Sequence, residues 1–273
     1  MLLAVDVGNS NVVYGIHESG DWKRQWREET HARRSMAEEE ALLRSYFLEY
    51  GLRLSDIEQV VLSSVVPERT PDLERILHRL FGKRVLVVND TIYTYLPLQI
   101  RNAHEIGSDL VANALGGHLR FPEHVCTVVD FGTALTFTTV APNGKILGVS
   151  IAPGLKTAIR TLSTSTAKLP EVPLQYPESA LGQNTVHAIQ AGVLVGYSGM
   201  VKNMLYLIRR ELEHDQELPE LRVIATGGLS SILTPLKDEF ELIDPMLTLS
   251  GLRAIAQYVP QPDSSLLNSS RTG

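Results

Sequence analysis

Leu2-Leu3-Ala4-Val5-Asp6-Val7-Gly8-Asn9-Ser10-Asn11-Val12-Val13 opens the chain. At mid-chain, Thr127-Val128-Val129-Asp130-Phe131-Gly132-Thr133-Ala134-Leu135-Thr136-Phe137 repeats its design. Each stretch is an apolar strand, then Asp-x-Gly, then short hydroxyl or amide residues, then a second apolar strand. The two aspartates are separated by nearly half of the 273 residues. A carboxylate at the end of a buried strand is costly unless a cation or a donor answers it. Glycine two residues later lets the chain turn tightly and lets a phosphate approach the backbone. Asn9, Ser10 and Asn11, or Thr133 and Thr136, add short donors beside exposed N–H groups, a nest suited to anions. One such hairpin is also what an ordinary turn looks like. Two of them, at equivalent places in two halves, point to phosphate.

The repeat extends outward from both loops. After the first comes an apolar run to Ile16, a Gly20-Asp21 turn and a strand over 22–27. After the second come strands over 136–140 and 146–151, joined by a Pro142-Asn143-Gly144 turn. Both read as three-strand meanders. Helical patterns follow near 36–50 and 186–212, then buried strands over 59–66 and 222–226. Last strands stand at 84–88 and 239–243. The order β-β-β-α-β-α-β thus appears twice. It gives an α/β protein of two mixed sheets with helices on their faces and a cleft between the halves. The expected halves are 1–118 and 119–260. The tail 261–273, rich in Ser, Asn, Pro and Gly, is expected to be disordered.

Bulk properties narrow the class. Hydrophobic residues make up 44% of the chain, enough for two cores, and the net charge is −6. There is no basic stripe, so nucleic acid is not an expected partner. Cys126 is the single cysteine, which excludes an intrachain disulfide framework. It sits in an apolar strand and reads as a buried, inert thiol. No secretory leader precedes the first strand and no apolar run reads as a membrane span. A soluble cytoplasmic protein is therefore expected. His17, His118 and His187 lack metal-ligand spacing.

Three further segments carry candidate chemistry. Gly107-Ser108-Asp109 precedes Leu110-Val111-Ala112-Asn113-Ala114-Leu115-Gly116, which reads as a helix start. Its aspartate reads first as a helix cap, with catalysis as the alternative. Gly148-Val149-Ser150-Ile151-Ala152-Pro153-Gly154-Leu155 is a strand ending in a Pro-Gly turn, either plain or shaping a pocket. Thr226-Gly227-Gly228 ends a strand in paired glycines, which by themselves read as a turn.

In order and spacing, Asp6-Val7-Gly8-Asn9-Ser10-Asn11, Gly107-Ser108-Asp109, Asp130-Phe131-Gly132-Thr133-Ala134, Ile151-Ala152-Pro153-Gly154, Gly182-Gln183-Asn184-Thr185 and Thr226-Gly227-Gly228 jointly resemble the type III pantothenate kinases. The resemblance covers residues 1 to about 259. It implies the duplicated ribonuclease-H-like fold of the actin-like, sugar-kinase-like ATPases, with an inter-domain cleft. It implies phosphorylation of pantothenate by ATP, the first step of coenzyme A biosynthesis. By resemblance, Asp6, Val7, Gly8, Asn9, Ser10, Asn11, Val12 and Val13 form the first phosphate loop. Thr133 touches ATP, and Gly227 and Gly228 pack on its adenine and ribose. Asp109 is the general base; Gly107, Ser108, Asp109, Leu110 and Thr185 surround pantothenate. Asp130 holds a monovalent cation, potassium or ammonium, and Asp6 holds magnesium through water. Such enzymes are homodimers, with the pantothenate pocket beside the subunit interface.

The acceptor side departs from the family pattern. Leu110 stands where the family usually has Arg, Ile100 where it has Tyr, and Ala103 where it has Pro. A guanidinium is a natural carboxylate clamp, and Arg101 and His104 are the nearby cations available to replace it. Two alternatives follow: a nucleotide-binding regulatory accessory factor without kinase activity, or a kinase of another small hydroxy acid.

Overall fold

Alternating apolar residues fold the opening segment into a meander of β1 (Leu2–Val7), β2 (Asn11–Glu18) and β3 (Asp21–Glu29), all antiparallel. The chain then crosses through α1 (Met36–Glu49) to β4 (Gln59–Ser64), which runs parallel to β1. Helix α2 (Thr70–Phe81) leads to β5 (Val85–Val87), parallel to β4. The sheet order is β3-β2-β1-β4-β5. Helix α3 (Ser108–Arg120) connects to a second meander of β6 (Val125–Phe131), β7 (Ala134–Val140) and β8 (Ile146–Pro153). Helix α4 (Leu155–Ser165) follows, then α5 (Thr185–Gln190), a π turn at Ala191–Val195 and α6 (Gly196–Glu213). Last come β9 (Leu221–Thr226), β10 (Leu242–Ile243) and α7 (Leu247–Tyr258). The second order, β10-β9-β6-β7-β8, is that of the first sheet. The structure is a computed structural model and describes residues 1–30, 34–213, 218–230 and 234–260. The expected disordered tail, 261–273, lies outside the described residues.

The duplication expected from the sequence is present, with differences: α4, α5 and α6 stand between β8 and β9 where the first copy has α1 alone. Where the second copy calls for a helix before its last strand, the described residues hold a 3-10 turn, Thr234–Glu239. Strand β10 still lies parallel to β9, so the chain crosses between them without an α-helix among the described residues. Each copy also closes on a further helix, α3 or α7, and α7 had no reading in the sequence.

Those two helices join the halves. Helix α3 packs against β4 of the first sheet and against β6 and β7 of the second, while α7 packs on β1 and β4. Val111, Ala112 and Leu115 of α3 and Leu252 and Ile255 of α7 form one core with Leu2, Ala4 and Val61 and with Cys126, Val128 and Ile224. The outer faces make separate cores: Leu3, Val5 and Leu62 under α1 and α2, and Val129, Phe137 and Val223 under the helices of the second half. Strands buried on both faces explain the near-continuous apolar runs of β1 and β6. Burial pushes the Cys126 thiol up to about 12, as an inert cysteine requires.

One helical stretch, Thr185–Glu213, is by length and composition apolar enough to cross a bilayer. The sequence reading had found no such run. Leu194, Val201 and Leu205 on this stretch are buried in the second outer core, so one face is already occupied by protein.

The α3–α7 crossing depends on glycine. A Cβ on Gly251 would run into the carbonyl oxygen of Ala112, and one on Gly116 would lie 3.0 Å from Leu247 Cδ1. Alanine is worth up to about 1 kcal/mol over glycine in a helix interior, but forcing two packed helices apart costs about 1–3 kcal/mol or more. Gly251→Ala is therefore expected to lower unfolding stability. An unchanged or raised urea midpoint would show that the crossing is looser than this.

Candidate active site

Strand register places the two loop aspartates in matching rows. In the first sheet, Ser63 of β4, Asp6 of β1, Val13 of β2 and Arg27 of β3 are direct cross-strand partners. In the second sheet, Thr226 of β9, Asp130 of β6, Thr136 of β7 and Ile151 of β8 repeat the row. Partners in a row share one face of their sheet. Asp6, Val13, Arg27, Asp130 and Thr136 accordingly line one cleft of about 170 Å³ between the halves, with Asp109 from the start of α3 and Thr248 from the start of α7. The cleft continues into a larger cavity lined by Ser10, Arg27, Thr133, Lys156, Gly227 and Gly228. Two helix N-termini thus reach a cleft framed by two glycine turns, and helix N-termini favour anions.

Three carboxylates share this space, and each resists ionisation. Asp6 is pushed up to about 7, chiefly by burial and next by the neighbouring charge of Asp109. Ser63 Oγ opposes this by donating to Asp6 Oδ1 at 3.0 Å. Asp130 is pushed up to about 6, again chiefly by burial. Asn113 Nδ2 donates to its Oδ2 at 2.9 Å and pulls the other way, as does Arg27. Asp109 is raised by burial, against the hydrogen bond that Leu110 N–H donates to its Oδ1 at 2.8 Å. Asp109 is not the helix cap: Gly107 holds that position without a side-chain cap bond, and Asp109 stands in the first turn and lines the cleft. A Cβ on Gly107 would lie 2.5 Å from its Oδ1, so the preceding glycine gives the carboxylate room.

The two loops are built alike. In the first, Gly8 N–H donates to Asn11 O at 2.9 Å; Thr30 holds it from outside, Oγ1 to Gly8 O at 2.7 Å and N–H to Ser10 O at 2.9 Å. In the second, Gly132 N–H donates to Ala134 O at 3.1 Å. Gly154 N–H and Thr157 Oγ1 hold Thr133 O at 2.9 and 2.8 Å. A Cβ on Gly154 would strike Gly132 O, so the Pro-Gly turn is the floor of the second loop. Thr133 Oγ1 donates to Ser10 Oγ at 2.8 Å, closing one loop onto the other across the cleft. Gly227 has φ +88, and a Cβ there would collide with Asp130 Oδ1. Gly228 lies under the Arg27 guanidinium, 3.0 Å from its Nη1 to the Cβ it lacks.

Other expected residues fall elsewhere. Val7 and Val12 turn into the first outer core, so only their backbone belongs to the loop. The Leu110 side chain is buried and is absent from the cleft lining. Ile100 packs against the central core. Arg101 is exposed, and the His104 side chain pairs with Glu105 at 3.6 Å; neither lines the cleft. Thr185 begins α5, capped by Asn184, and borders a separate groove with Gly182 and Ala188. Within one chain it is not brought to Asp109. Two residues carried no reading in the sequence. Arg27 was detectable from the alternation of β3, where Trp26 is buried and Gln25 and Arg27 line the cleft. Thr30 gave no comparable signal, because it stands just beyond the strand.

Among the described residues, no three of His, Cys, Asp and Glu are grouped so as to hold a metal ion. Thr136 Oγ1 and Thr226 Oγ1, on either side of Asp130 in its row, are buried without a hydrogen-bond partner among the described residues. Orphaned oxygens of this kind call for a ligand.

The family model described as type III pantothenate kinase matches residues 2–206. The type III pantothenate kinase of Geotalea uraniireducens is 39% identical over 259 residues, 94% of this chain and 98% of that one. A conserved Baf family protein of Campylobacter jejuni superposes with a TM-score of 0.56 at 19% identity, covering 93% of this chain and 97% of that one. MreB 5 of Spiroplasma citri, solved with AMPPNP, superposes with a TM-score of 0.52 at 11% identity, covering 100% and 98%. At such identities these structures speak for the fold alone, the duplicated actin-like ATPase fold.

The raised carboxylates make stability depend on pH. Folded values near 7 for Asp6 and 6 for Asp130 lie above the ordinary 3.8, so folding takes up protons. Their contribution is complete below about pH 4 and is lost as pH rises through those folded values. Asp6→Asn removes one of these titrations. In ligand-free buffer with chelator, the stability of Asp6→Asn relative to wild type is expected to rise between pH 5 and pH 8, by on the order of a few kcal/mol. Urea denaturation that gave the same difference at both pH values would show that Asp6 is not held as a destabilised charge.

Proposed function

This chain belongs to the type III pantothenate kinase family, and we propose that it transfers the γ-phosphoryl group of ATP to the primary hydroxyl of pantothenate, giving 4'-phosphopantothenate, the first step of coenzyme A biosynthesis. One observation carries this reading: half-buried aspartates from both halves converge on a cleft framed by two glycine loops. Residues 1–118 and 119–260 act as the two jaws, each supplying one loop. No observation favours the regulatory factor or a different hydroxy acid.

Phosphoryl transfer is mostly positioning and charge neutralisation. The backbone of Gly8–Asn11 and of Gly132–Thr133 holds the phosphates, and Gly227 and Gly228 leave room for the nucleoside. Asp109 receives the proton of the pantothenate hydroxyl, a role suited by a carboxylate raised toward the working pH. The hydroxyl oxygen bonds to the γ-phosphorus. The bond to the β,γ-bridging oxygen breaks, and ADP leaves with its electron pair. Asp6 would hold magnesium through water, in keeping with a single first-sheet carboxylate beside a phosphate site. Asp130, with the unpartnered hydroxyls of Thr136 and Thr226, fits a monovalent cation, potassium or ammonium. Bound ions of both kinds neutralise phosphate charge. Gly107 and Ser108 shape the acceptor side beside Asp109. An ATP-consuming kinase is placed in the cytoplasm, with no part for nucleic acid or membrane.

A homodimer is part of the reading. Ala188, Gly192, Gly196 and Gly199 make an exposed stripe of small residues, and no other group approaches the last three within 4 Å. Val186 and Leu181 beside it are also exposed, Leu181 at 82%. Small residues let a second helix approach closely, and Thr185 stands at the end of this face. Sedimentation is expected to give a dimer at micromolar concentration and a monomer for Gly196→Arg; a monomeric wild type would end the idea.

In a coupled assay with ATP, magnesium, potassium and pantothenate, Asp109→Asn is expected to lose about a hundred- to ten-thousandfold in kcat while keeping affinity for a non-hydrolysable ATP analogue. Asp6→Asn and Asp130→Asn are expected to lose about a hundredfold or more. An inactive wild type, or an Asp109→Asn variant with near-normal turnover, would refute the assignment.

A further inference from the structure

We infer that Arg27 is a phosphate-binding residue of the cleft, clamping the polyphosphate of the nucleotide from the side opposite Asp6. This rests on the kinase reading above. Arg27 lies in the cross-strand row of Asp6, with Val13 between them. Strands are spaced by about 4.8 Å, so the two backbones stand about 10 Å apart. The small Val13 leaves the space between carboxylate and guanidinium open, and all three residues line the cleft. A chain of phosphates with its metal fits such a gap, with the metal toward Asp6 and a bare phosphate toward Arg27.

Three further observations fix the ligand class. First, Arg27 also lines the adjoining cavity with Ser10, Thr133, Lys156 and Gly228, so it stands where the two loops meet. Second, its guanidinium reaches over Gly228 of the other half, 3.0 Å from the position a Cβ would take. A glycine under a planar guanidinium leaves the fork free to face a tetrahedral anion in bidentate fashion. Third, the adjoining cavity that Arg27 shares with both loops includes neither Asp109 nor Thr248. It therefore belongs to the loop side of the cleft and not to the acceptor side, which sets phosphate above the carboxylate of pantothenate. No ion pair or hydrogen bond commits the guanidinium to a protein partner among the described residues, in contrast to Arg34, Arg44 and Arg69 of the same half.

The test compares wild type, Arg27→Met and Arg27→Lys. Calorimetry would give affinities for AMPPNP and for AMP, and steady-state kinetics the KM for pantothenate at saturating ATP. Losing a charge-assisted clamp is expected to weaken AMPPNP about 10- to 100-fold in Arg27→Met. Affinity for AMP and the KM for pantothenate should stay within about twofold, because neither senses the outer phosphates. Arg27→Lys should fall between, since a point charge does not reproduce the fork. Equal losses for AMPPNP and AMP would mean a structural role and overturn the inference. So would a raised KM for pantothenate with AMPPNP affinity unchanged, which would make Arg27 a carboxylate clamp. A wild type that binds AMPPNP but has no pantothenate kinase activity would refute the kinase reading and leave the AMPPNP-against-AMP comparison standing for Arg27.

Discussion

Three half-buried carboxylates in one cleft are the constraint around which the rest of the chain is arranged. Ionised and unpaired, each would cost several kcal/mol to hold away from water. The protein answers each with one neutral donor and little more: Ser63 for Asp6, Asn113 for Asp130, the Leu110 N–H for Asp109. A single neutral hydrogen bond is worth about 1 kcal/mol, too little to offset the burial. Burial therefore outweighs these bonds, and it pushes Asp6 and Asp130 above the ordinary carboxylate range. A cleft with more carboxylate than cationic charge favours cationic ligands, and a ligand that binds only the folded state stabilises it.

That arrangement needs the two sheets to be fixed against each other, and the helix pair between them does so. Thr248 Oγ1 of α7 donates to Asn113 Oδ1 of α3 at 2.8 Å, and Asn113 in turn donates to Asp130. On the other side, Ser108 Oγ of α3 meets Ser63 Oγ at 2.9 Å, and Ser63 donates to Asp6. Each aspartate is thus oriented by a side chain that α3 holds in place. The crossing of α3 and α7 at Gly251 and Gly116 brings these helices close enough to bridge both sheets. Packing of small residues in the central core and the geometry of the carboxylates are one problem, solved once.

How much of this the sequence discloses follows from the range of each signal. Alternation and Asp-x-Gly turns are local, so the two meanders, both loops and the doubled topology could be read directly from residues 2–13 and 127–137. Asp109 was readable as a candidate because a helix start is also local. The α3–α7 crossing was not, since Gly251 and Gly116 look like ordinary helix glycines until a carbonyl 139 positions away in numbering, Ala112 against Gly251, is brought beside them. The partnerless hydroxyls of Thr136 and Thr226 belong to the same class: nothing in a strand pattern says that a threonine lacks an acceptor. On the acceptor side the sequence drew attention to Leu110, Arg101 and His104. The structure buries the first and leaves the others outside the cleft.

The duplication itself explains where the two halves had to differ. Both rows keep a carboxylate on the central strand, Asp6 and Asp130, and a hydroxyl on the strand parallel to it, Ser63 and Thr226. On the next strand out, Val13 faces Thr136; on the outermost, Arg27 faces Ile151. Ser63 is spent on Asp6, whereas Thr226 and Thr136 are left with free oxygens. The first row therefore presents one carboxylate and one guanidinium, a pair suited to a metal-bound polyanion. The second presents one carboxylate and two hydroxyl oxygens, a set suited to a cation. Two identical rows would have crowded one nucleotide with two like sites. The asymmetry of the two rows is carried by side chains on the two outer strands, while the strand order and register around the aspartates are shared by both halves.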